Sequence, residues 1–240
     1  MGKRLEAKEL MDLASADVSL LLRTIRQFRP INFLFSSSRR LIRSYFFKRM
    51  ESEPEREYTL LELGAGGGDI MVWAAREARR RGLRLKITCI DIDRRIMGYT
   101  GKAVRNYPEI SLLCRSAFDL DDLSDFDFIF SNHFLHHLAW DDIEKIIGQA
   151  VKKTRIAFLF NDLKRSNMSY IVYAIFAALF LRRSFAFTDG LLSIRKGFLP
   201  EELKDFLRER FPEFIFPVLK TTPGRIFLFY QQENKRAGNS

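Results

Sequence analysis

From Tyr58 onwards, short apolar runs alternate with stretches in which apolar residues recur at helical spacing. The apolar runs predict five strands, at 58–63, 85–91, 110–114, 126–131 and 155–160. The stretches between them predict helices near 69–81, 93–105 and 141–152. Nearly continuous apolar strands with helical crossovers must be covered on both faces. The pattern therefore predicts an α/β domain with a parallel sheet and right-handed connections.

The alternation stops after the fifth strand. An apolar helix at 168–181 is predicted within a lid insertion at 163–198, followed by a helix at 200–210. Strands at 214–220 and 225–231 are joined by a Pro-Gly turn and must be antiparallel. The longest apolar run, Tyr170 to Leu181, is shorter than the roughly 20 residues that span a bilayer. A helix that is apolar all round needs cover, which core, an apolar substrate, a second subunit or lipid can provide.

The first 57 residues show no strand alternation and predict a helical N-terminal lid. Arg29-Pro30 predicts a break in this helical region, and Ser36-Ser37-Ser38 predicts a turn. The acidic run at 51–57 predicts a solvated linker to the main domain at 58–232, and residues 233–240 are expected to be disordered.

Charge is distributed unevenly along the chain. The 240 residues include 40 Lys and Arg against 30 Asp and Glu, a formal net charge of +10. Residues 18–50 hold eight Lys or Arg and no acid, interleaved with aromatic residues, and residues 163–188 hold four more and no acid. Both basic stretches fall in the predicted lid elements. They suit an anionic amphiphile or an anionic membrane surface.

Two cysteines are too few for a disulfide framework, and the N-terminus lacks the apolar stretch of a signal peptide. A cytoplasmic location is therefore expected, with peripheral attachment at the inner face of the membrane as an extension of the charge argument. A nucleic-acid partner is disfavoured because the sequence shows no recognisable RNA-binding module. The oligomeric state stays open, and a dimer is compatible with the apolar helix.

A glycine cluster follows the first strand of the main domain. The run Leu63-Gly64-Ala65-Gly66-Gly67-Gly68-Asp69 joins an apolar strand to a helix, where glycines let the backbone turn and let a ligand approach. Its spacing is GxGxG, without the third small residue of the dinucleotide fingerprint GxGxxG. Glu62 would repel a pyrophosphate but would favour a cationic ligand. Asp91, at the tip of the second strand, is placed to accept ribose hydroxyls.

With these residues the chain resembles the class I S-adenosylmethionine-dependent methyltransferases. ELGAGGGD is similar to their first motif, ITCIDID to their ribose-binding strand end, and FDFIFSNHFLHHL (126–138) to a motif of the small-molecule branch, which includes the ubiquinone/menaquinone methyltransferases. The resemblance implies a Rossmann-like seven-stranded sheet in the order 3-2-1-4-5-7-6. It also implies S-adenosylmethionine as the cofactor.

The resemblance also implies roles for individual residues. The cofactor residues it implies are Glu62, Gly64, Ala65, Gly66, Gly68, Asp91, Ile92, Ser116, Ala117 and Asn132. Asp91 would bind the ribose, Ile92 would pack on the adenine, and Asn132 would lie beside the methionine end. Many family members have Gly-Asp-Ala at the end of the third strand, where this chain has Arg115-Ser116-Ala117. The adenine contact is therefore assigned either to Ser116 or, after a shift, to Asp119.

His136 and His137 follow the fourth strand, and Asp162 ends the fifth. A neutral imidazole at this edge can take a proton from an attacking hydroxyl, with Asp162 as its orienting partner. Alternatively, the histidines serve helix packing and Asp162 caps a helix. His133 is expected to be a cofactor-side or structural residue. No metal site is predicted, because the two histidines are adjacent and no cysteine joins them.

The sequence thus favours methyl transfer to a small, lipophilic hydroxylated aromatic of quinone or polyketide type, with a ring carbon as the next acceptor atom. The polyketide association comes from the flanking segments, the ELMD start and the NDL…DGLLS…R insertion, which resemble those of small bacterial methyltransferases. RNA methylation is a second hypothesis, raised by the charge. A non-catalytic membrane-surface or scaffold protein that keeps the fold is a third, because Ser116 replaces the usual Asp.

Overall fold

The computed structural model describes residues 1–181 and 183–232. The predicted disordered tail at 233–240 lies outside the described residues. Seven strands form one sheet: β1 Glu57–Leu63, β2 Arg84–Asp91, β3 Ile110–Cys114, β4 Phe126–Asn132, β5 Thr154–Leu163, β6 Val218–Thr221 and β7 Arg225–Gln231. Their order is β3-β2-β1-β4-β5-β7-β6, with β1 to β5 parallel and β7 antiparallel to both β5 and β6. This confirms the predicted order and the mostly parallel sheet.

The helices cover the sheet and its carboxyl edge. They are α1 Val18–Phe35, α2 Ser38–Ile42, α3 Lys48–Met50, α4 Asp69–Arg80, α5 Arg94–Val104, α6 Trp140–Lys153, α7 Asn167–Phe180, α8 Ala186–Lys196 and α9 Pro200–Arg210. A π-helical segment, Arg43–Phe47, connects α2 to α3, and Leu10–Asp12 and Leu135–His137 form short 3₁₀ turns.

Alternate residues of the strands enter two cores. Leu60 belongs to the core under α4, whereas Leu61, the next residue of β1, belongs to the core under α6 and α9. The segment after α1 also enters the first core, where Phe46 stacks on Phe128 with ring centroids 4.6 Å apart. Burying one such side chain stabilises the fold by roughly 1.5–3 kcal/mol. The N-terminal region therefore completes the core of the domain.

The predicted break at Arg29-Pro30 is wrong, because α1 continues through Pro30 to Phe35. Leu21 and Ile25 before the proline and Ile31 after it are all buried. The apolar burial on both sides offsets the one hydrogen bond that proline removes.

The predicted strand at 214–220 is shorter in the structure, where only Val218–Thr221 pairs with β7. Pro217 has no backbone N–H to donate, although its carbonyl accepts a hydrogen bond from Phe229 N at 3.0 Å. Phe214 and Phe216 instead pack against Tyr230, with ring centroids 5.9 and 5.6 Å apart.

The insertion after β5 forms two helices, α7 and α8, that pack against α1. Ala177 of α7 is buried beside Ile31, and the ring of Phe176 meets Phe35 with centroids 5.0 Å apart. Much of the opposite side of α7 is exposed. Among the described residues, no helix is long and apolar enough to cross a membrane.

Candidate active site

A cavity of about 550 Å³ opens at the carboxyl edge of the sheet, beyond the ends of β1, β2 and β4. Its floor comes from the glycine loop and the strand ends. Its roof comes from the N-terminal segment, α1, α7 and α8. Its size is typical of small-molecule sites, and its position is the usual ligand crevice of an open α/β sheet.

The glycine loop forms one wall of the cavity. Gly64, Ala65, Gly66 and Gly67 line it. Gly66 has φ +49°, and a Cβ placed there meets no atom within 4 Å, so the backbone faces open space. Gly68, predicted to bind cofactor, does not line the cavity. Its φ of +70° instead starts α4, where a Cβ would lie 2.8 Å from Thr100 Cγ2.

Three carboxyl groups lie together beside this loop, on Glu62, Asp69 and Asp91. Burial raises the pKa of each, most strongly that of Glu62. Oε2 of Glu62 and Oδ2 of Asp69 have no hydrogen-bond partner among the described residues. Carboxyl groups so placed are stabilised in their charged form by a cationic ligand. Asp69 was not predicted as a site residue, although it directly follows the glycine cluster.

Asp91 is held by two backbone groups. Gly66 N donates to its Oδ2 at 3.1 Å, and Asp93 N donates to its Oδ1 at 3.0 Å. Each carboxylate oxygen keeps a further lone pair for a ligand hydroxyl. The carboxylate thus also fixes the position of the glycine loop.

Residues after β2 and β3 form the next part of the wall. Ile92 lines the cavity although its side chain is 73% exposed, so an apolar ring can cover it. Ser116 and Ala117 also line the cavity, and Ser116 Oγ accepts a hydrogen bond from Phe118 N at 3.2 Å. Asp119 does not line the cavity. Of the two residues considered for the adenine contact, the structure places Ser116 at the cavity.

Asn132 ends β4 inside an amide network. Its Oδ1 accepts hydrogen bonds from Ser38 Oγ and from Asn161 Nδ2, both at 2.9 Å. Its Nδ2 donates to Asn32 Oδ1 at 3.2 Å, and Asn32 Nδ2 donates to Asp69 Oδ1 at 3.0 Å. The network links α1 to the strand ends and holds Asn132 on the cavity wall.

His136 lies between two carboxylates in the interior. Its Nδ1 contacts Asp162 Oδ1 at 2.6 Å, and its Nε2 lies 3.6 Å from Glu9 Oε1. Burial alone would lower the pKa of His136, but the charges of Asp162 and Glu9 outweigh it and raise the pKa to about 9. The imidazole is therefore a cation at neutral pH, which makes it a poor base. The predicted contact with Asp162 exists, but it holds a buried ion pair.

His137 is in a different environment from its neighbour. Its side chain lines the cavity and is partly exposed, its Nδ1 contacts Asp12 Oδ2 at 2.8 Å, and its Nε2 lies 3.9 Å from Glu9 Oε2. A carboxylate on one ring nitrogen fixes the tautomer and leaves the other to accept a proton. The carboxylate in contact with His137 is therefore that of Asp12, whereas the predicted partner Asp162 contacts His136.

The N-terminal segment is held across this edge by polar contacts. Arg4 donates to Lys196 O and Leu138 O, both at 2.8 Å. Leu10 N and Met11 N donate to the carboxylate of Asp189 at 3.0 and 2.9 Å. These contacts place Glu9 and Asp12 at the histidines. Both residues belong to the ELMD segment that resembles small bacterial methyltransferases, but their contacts with the histidines could not be predicted, because they lie more than 120 residues away along the chain.

The ligand atoms of Glu9, His136 and His137 lie within 4.8 Å of one another, a spacing that suits a metal ion. The Lys196 ammonium donates to Glu9 Oε1 at 3.1 Å, and His136 is itself cationic. Two positive charges on the same carboxylate disfavour a divalent cation there. We interpret the cluster as an ion-pair network that closes the N-terminal segment over the cavity.

The charge of His136 predicts a pH-dependent stability. A pKa raised from 6.5 to about 9 contributes stability that is complete below pH 6.5 and is lost as the pH rises through 9. The free energy of unfolding should fall across this range by at most about 3 kcal/mol. Urea unfolding from pH 6 to pH 10 measures it, with His136→Gln as the comparison. Equal slopes for the two proteins would contradict the assignment.

Apolar side chains line the part of the cavity away from the glycine loop. They are Phe28, Ile31, Phe35, Met168 and Val172. Arg225 lies among them. It donates from Nε to Phe35 O at 2.7 Å, and its Nη1 has no partner among the described residues. Burial lowers the pKa of Arg225 to about 9, which still leaves it charged at neutral pH.

The known proteins that this chain resembles are methyltransferases. Residues 60–155 match the family described as a methyltransferase domain. No curated protein sequence matches the chain. The family match and the sheet order together identify the fold as that of class I methyltransferases, whose cofactor is S-adenosylmethionine.

Solved structures of similar fold include three methyltransferases at low identity. A SAM-dependent methyltransferase from Aquifex aeolicus is 14% identical, with a TM-score of 0.61 over 90% of this chain and 98% of that one. The plantazolicin methyltransferase BpumL, in complex with a monoazolic desmethylPZN analogue and SAH, is 10% identical, with a TM-score of 0.64 over 88% of this chain and 89% of that one. Magnesium protoporphyrin IX methyltransferase from Synechocystis, with bound SAH, is 9% identical, with a TM-score of 0.53 over 93% and 90%.

Proposed function

We propose that this chain, which contains a class I S-adenosylmethionine-dependent methyltransferase domain, methylates a hydroxyl oxygen of a small lipophilic aromatic molecule. One observation carries the proposal. A single cavity joins the glycine loop and Asp91 to an apolar compartment, and His137 lies on its wall. Cofactor and acceptor can therefore share one enclosed space, as direct transfer between them requires.

The residues present fit the cofactor. The open space beside the Gly66 backbone can accommodate the cofactor, and the carboxylate of Asp91 has free lone pairs for the ribose hydroxyls. The unpartnered oxygens of Glu62 and Asp69 suit its amino group and its sulfonium. The exposed Ile92 and the hydroxyl of Ser116 are placed to meet its adenine. When bound, S-adenosylmethionine supplies an electrophilic methyl group.

The chain's own residues perform the remaining tasks. His137 accepts the proton of the acceptor hydroxyl at the ring nitrogen that faces away from Asp12, and Asp12 stabilises the resulting imidazolium. Arg225 is charged and lies on the cavity wall, where its positive charge stabilises the oxygen of the acceptor hydroxyl as that oxygen loses its proton. Residues of α1, α7 and α8 cover the acceptor compartment.

The apolar lining and the covering helices of the cavity indicate the class of acceptor. The acceptor compartment is mainly apolar, and the helices above it enclose a volume suited to a small molecule. The plantazolicin and magnesium protoporphyrin IX methyltransferases are named for small organic acceptors, which supports the same class here. An RNA strand would need an open, positively charged track to the methyl group. A ring carbon remains the alternative acceptor atom.

Labelled cofactor tests the proposal. The purified protein is incubated with S-adenosylmethionine carrying a labelled methyl group and with separate lipid, polar and RNA extracts, and the products are analysed by mass spectrometry. The label is expected in the methyl ether of a lipophilic phenol, from which hydriodic acid releases it as methyl iodide. Label in RNA alone would overturn the acceptor class. Cofactor binding without labelled product from any extract would favour a non-catalytic protein.

A further inference from the structure

Helix α7 carries an exposed apolar stripe. Its members recur at helical spacing and are all exposed: Met168, Ile171, Val172, Ile175 and Leu179. We call this set the α7 stripe. Ile175 is 59% and Leu179 is 62% exposed, whereas Ala177 on the opposite side of the helix is fully buried. A continuous apolar stripe on a surface helix marks an interaction site.

The length of α7 limits how the helix can insert into a lipid bilayer. Its 14 residues extend about 21 Å at 1.5 Å per residue, too short to cross the hydrocarbon core. It lies along the protein, fixed by Ala177 and by the Tyr173 hydroxyl, which donates to Ala186 O at 2.6 Å. The stripe can therefore enter a bilayer only from the side, parallel to its surface.

Helix α1 lies beside α7 and adds further exposed apolar surface. The contact between Phe35 and Phe176 joins the two helices. On α1, Phe33 and Leu34 are both exposed, and the guanidinium of Arg39 lies 5.0 Å from the centre of the Phe33 ring. Apolar and cationic groups are thus interleaved on the exposed surface of α1 and α2.

Arginines lie near both ends of α7, and another is exposed on α1. The turn after β6 brings Arg40 close to the start of α7: Arg40 donates to Thr222 O at 3.4 Å, and a Cβ placed on Gly224 in the same turn would meet the Ser169 side chain. Arg183 follows the end of α7 and is exposed, as is Arg29 on α1. Residues 18–50 and 163–188, which build these helices, contain no Asp or Glu.

We infer that the α7 stripe docks on an anionic lipid bilayer, with the arginines around it at the headgroups. Apolar residues that enter the interface beside a cationic belt are the pattern of monotopic membrane binding. A second copy of this chain fits less well. A two-fold interface would bring the same patch together from both copies and would oppose their arginines.

This docking places the cavity next to the lipid. Met168 and Val172 belong to the α7 stripe and also line the cavity, so the cavity wall reaches the surface that would enter the bilayer. A lipophilic acceptor could then pass from the membrane to the site without crossing water. This consequence for the acceptor rests on the proposed function, whereas the docking itself does not.

Vesicle flotation without cofactor or acceptor tests the docking. The wild-type chain is expected to float with phosphatidylcholine vesicles that contain 30% phosphatidylglycerol, and to bind pure phosphatidylcholine at least tenfold more weakly. Raising the salt from 0.1 to 1 M shortens the Debye length from about 10 to about 3 Å and should weaken the binding severalfold.

Substitutions locate the surface. Ile175→Asp and Leu179→Asp should each lower the partition coefficient at least tenfold. Ile215→Asp, at a residue that is 83% exposed in the loop before β6, is the matched control and should leave it unchanged. Arg29→Gln combined with Arg40→Gln should reduce binding only to the anionic vesicles, and Arg208→Gln on α9 is their control.

The outcomes separate the inferences. Absence of flotation with anionic vesicles, or equal loss in Ile215→Asp, would overturn docking through α7. Concentration-dependent dimers in sedimentation, abolished by Ile175→Asp, would assign the stripe to a second copy. Titration with S-adenosylmethionine on the same proteins tests the proposed function separately, since Ile175 and Leu179 do not line the cavity.

Discussion

Asp91→Ala is expected to weaken S-adenosylmethionine binding about 100-fold or more, because two hydrogen bonds from ribose hydroxyls to a charged group contribute about 1.5–3 kcal/mol each. The substitution also removes the acceptor of Gly66 N, which helps to position the glycine loop. Binding is measured by isothermal titration, and circular dichroism confirms that the variant is folded.

Two further variants make the Asp91 result specific. Asp91→Asn keeps an acceptor oxygen but not the charge, and should lose only about tenfold, as expected for the difference between charged and neutral acceptors. Asp119→Ala changes an exposed acid on the same side of the sheet that does not line the cavity, and should bind like the wild type. Unchanged affinity in Asp91→Ala would remove the assigned ribose site.

His137→Gln should lower kcat by about 10²–10⁴, the usual contribution of a general base, with little change in cofactor affinity. The reason is that His137 lines the cavity and is held by Asp12, whereas the hydrogen bonds that position Asp91 come from the backbone of Gly66 and Asp93. The rate is measured as labelled product formed from the lipid extract under saturating cofactor. Full activity in this variant would mean that the acceptor needs no base at this position, as for an acceptor already ionised in solution.

Asp12→Asn tests the positioning role that we assign to Asp12. It should lower kcat less than His137→Gln does, and should shift the pH at which the rate reaches half its maximum. Asp141→Asn, at an exposed acid at the start of α6, is the control and should change neither. A loss of activity without any shift of the pH profile would indicate only a structural role for Asp12.

The neighbouring histidines show why site chemistry is hard to predict from sequence. His136 and His137 are adjacent and equivalent in any local pattern. The fold turns His136 into the interior between Asp162 and Glu9, and turns His137 towards the cavity beside Asp12. Two of these three carboxylates come from a segment that only the tertiary structure brings to the histidines.

What the sequence determined by itself is the part of the molecule governed by local patterns. Apolar runs and helical spacing specified the strands, the helical crossovers and the parallel sheet with two buried faces, whereas the strand order came from the resemblance to class I methyltransferases. The glycine loop and Asp91 were recognisable because a tight turn next to a ligand restricts residue type at adjacent positions. All of these signals operate over a few tens of residues.

The tertiary structure alone decided what depends on distant segments. It carried α1 through Pro30 because burial on both sides outweighs one lost hydrogen bond. It also decided which face of α7 is exposed, because the apolar composition of the helix does not show which face finds a partner. It also brought Glu9 and Asp12 to the histidines, because ion pairs across more than 120 residues leave no periodic trace in the chain.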